Sequence, residues 1–527
     1  MTPRARAVGL VCVAAMVPYL WTLDDYFVQD DFGVVSLLAG KPALSFFSWF
    51  TRTWMDNIWG FTPDEIRPFP ALTYQLTAIG DAGSPVADHV LNVALHVANA
   101  LLVLGVGRMA AGLTRPAATA AACIFALLPV HPESVIWVTG RVDSMPALAY
   151  LSAFLAYVRF RATGARHFYI IAVAALFVAL FTKQNTVTFG PAIVLFDAVV
   201  LGRALRPSWA WLRPYVPFAL LTVGYLLLRY ALFGEVARES LLTPAGLAAF
   251  SEMAGRHVAR IAAGRVVPIA PLIALLAVAA GAVGVAAVKG GREPWHTLRA
   301  ALFFLIVWTA LGIAPVLVAG YESPRHIYLA SVGWAIGIGI VIDVLWRSQP
   351  SRLMKPAVVA TVTLLLAVYA WELAHEVRRW RARAHVSRQA VMDLEREAAG
   401  APPGSLVIVD VPPRSWEWAL PFAARPPFAT VDLTRRVRLV SPKLLYCCRG
   451  QWHDDTRQTL AAWAGDPAHP PVIALHWHDQ TGRLSRLDGR EDPYLGALMR
   501  AAAETPGPDA LDQIIAGAVG AAAAAAP

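Results

Sequence analysis

The stretch Leu127–Tyr157, LLPVHPESVIWVTGRVDSMPALAYLSAFLAY, decides how the rest of the chain is read. One apolar run ends in it at Val130, a short connection follows that carries His131, Glu133, Arg141 and Asp143, and a second apolar run starts at Ser144. Two apolar runs joined by a short ionisable turn read as a helical hairpin through lipid. A bilayer core takes about 20 mostly apolar residues per helix, and every backbone polar group there must be satisfied within the helix.

Outward from this hairpin the pattern repeats. Spans are expected at Val8 to Leu23, His89 to Ala110, Ala117 to Val130, Ser144 to Phe160, Phe168 to Phe181 and Val187 to Leu201. Others follow at Tyr215 to Phe233, His257 to Val288, Leu298 to Ala319, His326 to Trp346 and Pro356 to Ala374, about eleven in all by hydropathy and length. The 527 residues are 57% hydrophobic and 15% charged, with a mean hydropathy of +0.51, where soluble domains carry about 25% charged residues. The surplus needs lipid as its solvent. The first run, opened by Arg4 and Arg6, has no small-residue cleavage site before Leu23 and reads as a retained helix. Cys12 and Cys123 in apolar runs and the vicinal Cys447 and Cys448 provide no disulfide framework.

Orientation follows from the basic residues. Alternate connections hold Arg4 and Arg6, Arg108 and Arg115, Arg159, Arg161 and Arg166, Arg203, Arg206 and Arg213, Lys289, Arg292 and Arg299, then Arg347, Arg352 and Lys355, with Glu293 the one acid among them. The other connections are acidic or mixed, with Asp24, Asp25, Asp30, Asp31, Asp56, Asp64 and Glu65 first and Glu235, Arg238 and Glu239 later. Positive residues stay inside, so the second set faces out. The formal charge of +9 is then a topology signal and excludes a nucleic-acid patch. Arg378, Arg379, Arg381 and Arg383 fall outside on an odd helix count, which a long translocated tail tolerates.

Polar and charged residues at helix ends collect on that outer side. They are Asp30 and Asp31, Arg67 before Pro68, then His131, Glu133, Arg141 and Asp143, then Lys183, Gln184 and Asn185, then Arg229, and finally Glu322, Arg325, His326 and Tyr328. Such groups near membrane depth are costly, so their clustering indicates a shared site. A carboxylate pair suits a general base or a metal ligand, and Arg and Lys suit a phosphate. Base and phosphate clamp together suggest group transfer from a lipid phosphate that carries a sugar.

The same run, Leu127–Tyr157, resembles the segment that marks the membrane part of the transmembrane O-mannosyltransferases with tetratricopeptide repeats, and their bacterial relatives. VQDDF with Asp30 and Asp31, IRPFPALTYQL with Arg67, HVLNVALHVANALLV with His96, FTKQNTVTFGPAIVLFD with Lys183, and ESPRHIYLASVGW with Arg325 resemble that family in the same order, roughly from Gln29 to Gly333. The resemblance implies a GT-C class glycosyltransferase that moves a sugar, with inversion, from a polyprenyl-phosphate donor to a hydroxyl acceptor on the extracytoplasmic face. It implies Asp30 or Asp31 as the base, with Arg325, Lys183, Arg229 and Arg67 on the donor phosphate. His131, Glu133, Arg141, Asp143, Gln184, Asn185, Glu322, His326, Tyr328 and His96 would contact substrate or support the site. A divalent Mg or Mn on Asp30 and Asp31 is left open, and no other cofactor is implied. Two departures stand out. Glu322 and Arg325 are separated by Ser323 and Pro324 where the family places its Glu and Arg together, and nothing after Trp371 shows a 34-residue helical period.

Each residue also has a plainer reading. A DD pair after a first helix caps or turns the chain, Arg67 anchors a loop, and Lys183 snorkels from a helix end. His131 and Glu133 belong equally well to a structural loop network. His89, Asn92, His96 and Asn99 share one helical face, which suits interhelical hydrogen bonds.

Beyond the membrane part, Trp371 to Glu397 reads as a helix, Ala398 to Gly404 as a linker, LVIVDV from Leu406 as a buried strand, and VIALHWH from Val472 with RLSRL as a hairpin. His453, His476 and His478 lack the partners of a zinc site. The expected architecture is mainly α. It comprises a polytopic membrane bundle over 1–375 with a first outer loop at about 24–88, a linker helix over 376–404, a small extracytoplasmic α/β or α+β domain over 405–515, and an Ala-rich tail over 516–527. A multi-pass protein of the inner (plasma) membrane follows, whose partners are the donor lipid, a protein, lipid or glycan acceptor, and membrane lipids. The rival class is a transporter or flippase of an anionic lipid or solute. Transporters favour internal repeats and midplane charges, whereas these charges gather at one membrane surface. A non-enzymatic scaffold ranks third.

Overall fold

The computed structural model describes residues 2–55, 65–204, 208–234, 244–265, 294–347, 354–412, 416, 419–441, 458–463, 465–468 and 470–486. The readings placed on Asp56, Asp64, Arg206, Glu235, Arg238, Glu239, Lys289, Arg292, Glu293, Arg352, Cys447, Cys448, His453, the Ala-rich end and most of the eighth span lie outside the described residues. Two compact units emerge. The first is Met1–Leu23, Ile66–Pro70 and Asp88–Trp380, and the second is Asp24–Glu65, Ala71–Ala87 and Arg381–Pro527.

The principal helices are α1 (Pro3–Met16), α2 (Asp31–Leu38), α3 (Pro68–Thr77), α4 (Val86–Met109), α5 (Arg115–Leu127), α6 (Arg141–Thr163) and α7 (Arg166–Leu180). They continue with α8 (Phe189–Val199), α9 (Val216–Phe233), α10 (Pro244–Ala263), α11 (Pro294–Leu302), α12 (Thr309–Val318), α13 (Ser331–Arg347) and α14 (Met354–Ala399). The protein is mainly helical, with several apolar helices. Among the described residues five helices suffice by length and composition to cross a bilayer, Pro3–Thr22, Val86–Met109, Val216–Phe233, His296–Val318 and Lys355–Ala399, or six if the bent pair Asp31–Leu38 and Ala43–Phe50 is one span. The expected count of about eleven is not reached by this measure. The shortfall has physical causes: α5, α7 and α8 have only 13, 15 and 11 residues, and α6 carries Arg141, Asp143, Arg159 and Arg161.

In the first unit, exposed Ile170, Leu220, Leu227, Leu364 and Trp371 present apolar surface outward, as lipid-facing helices do, while alanine-rich α5 packs against α13. Helices come close where side chains are small. A Cβ on Gly337 would collide with the Leu305 side chain, so α13 needs glycine there. The α13 helix also starts five residues later than its expected span, at Ser331, which leaves Pro324–Ile327 as a 3-10 turn ahead of it. Trp334 Nε1 donates to Tyr369 Oη at 3.1 Å and Tyr369 Oη donates to Ala262 O at 2.9 Å, tying α13, α14 and α10 together.

The expected last span and linker helix are one continuous helix, α14, of 46 residues. The second unit holds a four-stranded sheet of β1 (Leu406–Asp410), β2 (Arg438–Val440), β3 (Val472–His478) and β4 (Arg483–Arg486), in the order β2-β1-β3-β4. β1 is parallel to both β2 and β3, and β3 and β4 form the antiparallel hairpin read from VIALHWH and RLSRL. Central β1 is buried along Leu406–Val409, as a strand covered on both faces must be.

The residues past Arg381 do not group alone, because the Asp30 segment belongs to the same unit. Phe32 lies 4.7 Å from the Phe428 ring and 6.0 Å from Trp416, Phe27 lies 5.2 Å from Phe428, and Asp25 Oδ1 meets Arg381 Nε at 3.4 Å. Phe32 is fully buried. Truncating a buried Phe to Ala typically costs about 3–5 kcal/mol, so Phe32→Ala is expected to release this segment. Limited proteolysis between residues 24 and 55 should accelerate in the variant, and an unchanged cleavage rate would show that the segment is held some other way.

Candidate active site

The first unit gathers its ionisable residues around Asp143, in the first turn of α6. What brings that turn in is Gly140, where an added Cβ would collide with Glu133 O and crowd Ser134 Cα. The chain doubles back tightly there, and the helix N-terminus receives a carboxylate, the charge it favours. From the turn after α7, Lys183 Nζ donates to Asp143 Oδ1 and lies 3.0 Å from His326 Nδ1. From the turn ahead of α13, Arg325 Nε lies 3.6 Å from Asp143 Oδ2 and His326 Nδ1 lies 3.5 Å from Asp143 Oδ1. Asp143, Lys183 and His326 are all buried. Arg67, buried in the same unit, acts on the Lys183 charge electrostatically.

Burial pushes the Lys183 ammonium down, Asp143 pulls it back up, and Arg67 and Arg325 lower it further, with a net value of about 8. Burial first, and then the Lys183 charge, push His326 down to about 3. A neutral His326 imidazole with an unprotonated Nδ1 then accepts from the Lys183 ammonium. Near neutral pH the Lys183 ammonium and the Arg325 guanidinium both face the Asp143 carboxylate.

Glu133 sets the Arg325 turn. Its carboxylate accepts from Ser323 Oγ and from Arg325 N at 3.4 Å. The Arg325 guanidinium rests 4.4 Å over the Trp137 ring. Glu322, expected beside the site, instead pairs with Arg256 at 2.6 Å, and its carbonyl accepts from Arg260. The separation of Glu322 from Arg325 thus sends Glu322 to α10 and leaves Arg325 to Asp143. Tyr321 stacks on His326 with ring centres 4.5 Å apart, and its carbonyl lies 3.0 Å from His257 Nε2. A cleft opens beside this group, lined by Lys183, Gln184, Asn185, Tyr321 and His326 on its polar side and Pro315, Val316 and Ala319 on its apolar side.

Other expected site residues do structural work. Arg141, fully buried, pairs with Asp88 at the start of α4. His96 Nδ1 is 2.7 Å from Tyr328 Oη and its Nε2 is 3.1 Å from Ala126 O, while His131 Nε2 is 3.0 Å from Ser331 Oγ. Asn92 donates to Trp137 O at 3.0 Å and Asn99 to Ser144 O at 2.9 Å, the interhelical bonding read from their common face. Arg229, buried on α9, sits 5.4 Å over Phe233. Sequence reading missed Asp88, Trp137, Tyr321 and Arg256. Only Trp137, beside the TGR turn, gave a local signal.

Asp30 and Asp31 lie in the second unit. Asp31 is almost fully buried, and its Oδ2 accepts from Val28 N at 3.0 Å, whereas Asp30 is half-buried. Just before them Gln29 has φ of 53°, the one non-glycine residue with positive φ among the described residues. Such strain is kept where surrounding structure enforces it, often at functional sites. Among the described residues no group of three or more His, Cys, Asp or Glu is disposed to hold a metal. A metal reading therefore stands on the Asp30–Asp31 pair alone, and no step below passes through one.

No family model matches the chain. It is similar to protein O-mannosyl-transferases. To Tmtc2 of Drosophila melanogaster it is 31% identical over 202 residues, 36% of this chain and 21% of that protein. To TMTC4 of Homo sapiens it is 30% identical over 227 residues, 37% and 29% of the two chains. The matched part is thus under a third of the length of these relatives. Among solved structures, ArnT from Cupriavidus metallidurans bound to undecaprenyl phosphate aligns over 91% of this chain and 94% of its own at 15% identity and a TM-score of 0.47. The archaeal oligosaccharyltransferase AglB from Archaeoglobus fulgidus, in complex with an inhibitory peptide and a dolichol-phosphate, aligns over 93% and 74% at 12% identity and a TM-score of 0.44. The sequence matches bear out the resemblance to the transmembrane O-mannosyltransferases read from the motifs.

Asp143 pairs with the buried Lys183 ammonium, and removing one partner of a buried pair typically costs about 3–5 kcal/mol. Asp143→Ala is expected to lower the thermal midpoint of the detergent-solubilised protein well below that of Glu322→Ala, whose ion pair is half-exposed. Equal midpoints for the two variants would show that Asp143 is not the counter-ion this geometry makes it.

Proposed function

We propose that the protein is an integral membrane glycosyltransferase. It moves a sugar from a polyprenyl-phosphate donor to a hydroxyl of a protein, lipid or glycan acceptor, with inversion, on the extracytoplasmic face of the inner membrane. The reading is carried by the cluster of Lys183 and Arg325 around Asp143, with Arg67 acting on the Lys183 charge, beside a small cleft lined by polar and apolar residues. Clustered cations of this kind suit a phosphate headgroup. Supporting it are the relatives named as protein O-mannosyl-transferases.

The chemistry balances without a further reagent. The acceptor oxygen attacks the anomeric carbon as its proton passes to a carboxylate. The bond from that carbon to the phosphate oxygen breaks, and its electron pair leaves with the polyprenyl phosphate. Cations that meet the added negative charge stabilise the transition state more than the ground state. Asp30 is the proposed base, because it is the more accessible of the pair while Asp31 is buried and engaged by Val28 N. Lys183 and Arg325 are the proposed phosphate ligands, with Arg67 adding to the field and Arg229 a weaker candidate. Gln184, Asn185 and His326 complete the proposed donor cleft.

Asp30→Asn keeps the shape of the side chain but cannot take up the acceptor proton, and loss of a general base costs about 10²–10⁴ in rate. Transfer by this variant is expected to fall by that factor while donor binding holds, whereas Arg325→Ala is expected to weaken donor binding. Asp31→Asn, measured beside them, should lose less turnover, and a larger loss there would exchange the two roles. Near-native turnover in both Asn variants with saturating polyprenyl-phosphate sugar would remove the carboxylates from the chemistry and bring the transporter class forward.

A further inference from the structure

The stacking that carries Arg325 extends beyond the Asp143 cluster. Trp137, whose ring centre lies 4.4 Å from the Arg325 guanidinium, also meets the ring of Trp380 on α14, with centres 6.0 Å apart and planes 26° from parallel. Offset aromatic rings attract at such a separation. Both tryptophans are buried. Trp380 lies beyond Gly333, past the stretch that resembles the transmembrane O-mannosyltransferases, and the transfer chemistry above gives it no role.

The path of α14 delivers Trp380 to this place. Tyr369, Leu373, Val377 and Trp380 are buried at successive steps of four, four and three residues, which is one face of a helix. Tyr369 Oη is fixed at the start of that stripe by Trp334 Nε1 of α13 and Ala262 O of α10. Continuous helix of about three turns joins Tyr369 to Trp380, so packing inside the first unit sets where the Trp380 ring lies. Trp137 is anchored in turn by its carbonyl, which accepts from Asn92 Nδ2 at 3.0 Å.

Three groups restrain Arg325 in different ways. Glu133 accepts from its amide at 3.4 Å and holds the backbone, Asp143 Oδ2 stands 3.6 Å from Nε and attracts the charge, and the Trp137 ring sets the plane of the guanidinium. A phosphate is bound through the edge of a guanidinium, in a fork whose direction the plane decides, while an aromatic ring takes the face. Stacking and phosphate binding therefore do not compete, and a displaced Trp137 ring would turn the fork. The ring that backs Trp137 from α14 is that of Trp380. We propose that Trp380 is a positioning residue of the donor site, which acts through Trp137 on the plane of the Arg325 guanidinium and so on its hold on the donor phosphate. The inference rests on Arg325 being a phosphate ligand, as read above.

The test is a double-mutant cycle on the full chain in lipid nanodiscs, read as the affinity for undecaprenyl phosphate. Trp380→Leu, which stays apolar but removes the ring, is expected to weaken binding by about three- to tenfold, the range of an aromatic or cation–π contact. Trp380→Phe, which restores a ring, is expected to recover most of that loss. In an Arg325→Ala background Trp380→Leu is expected to cause no further loss, because a residue that acts through Arg325 then has nothing to act on. General loosening of the helices would instead weaken binding equally in both backgrounds. Trp380→Met provides the same comparison if Trp380→Leu does not fold. The inference is overturned if the Leu and Met variants bind like the unaltered protein, if their loss is the same with and without Arg325, or if Trp380→Phe binds no better than they do. Loss in Arg325→Ala without loss in Trp380→Leu rejects this inference alone, whereas unchanged binding in Arg325→Ala rejects the phosphate reading of Arg325 and this inference with it.

Discussion

Asp143 is a buried carboxylate that draws Lys183, Arg325 and His326 into one cluster, and the first unit is arranged around that fact. Taking charges out of water costs several kcal/mol per ion, which close pairing repays only when geometry is good. The cluster's members come from three separate places, the turn after α7, the turn ahead of α13 and the start of α6, so the cluster fixes where these lie. Gly140 permits the approach of the α6 turn, and Glu133 holds the Arg325 turn through Ser323 Oγ and the Arg325 amide. Around Asp143 the Lys183 ammonium, the Arg325 guanidinium and the His326 ring thus meet at one place.

The same constraint explains what was legible in the sequence. Apolar runs announce themselves because lipid demands them, and ionisable residues at helix ends such as Lys183 and Arg325 are conspicuous because they are expensive there. Their convergence with Asp143 could be suspected from a common membrane side. Pairings across long sequence separations could not. Nothing local links Arg141 to Asp88 or Glu322 to Arg256, and a strand-and-turn reading of the tail gives no hint that Phe32 packs on Phe428 and Trp416. The number of spans is harder to read for a related reason. The apolar runs at α5 and α8 are read longer in the sequence than the 13 and 11 residues that are helical in the structure, and α7 has only 15.

The grouping of the Asp30 segment with the residues beyond Arg381 changes the meaning of the C-terminal region. Read along the chain, that region looks like an appendage. In the structure its aromatic residues wall the segment that carries Asp30 and Asp31, next to the strained Gln29. Removing it would strip Phe27 and Phe32 of their packing, so its contribution to the carboxylate pair is structural whatever else it binds.

The central claim is that a buried ammonium, Lys183, is part of a phosphate-binding cluster, and its lowered value of about 8 makes the claim measurable. Lys183 is charged below that pH and neutral above it, while Arg325 keeps its charge throughout and a phosphate monoester, with its second ionisation near 6, is already dianionic. Affinity of the full chain for polyprenyl phosphate should therefore fall as pH rises through about 8. Lys183→Arg, which cannot lose its proton in that range, should bind without the fall. The same downward slope in both proteins, or none in either, would contradict the account.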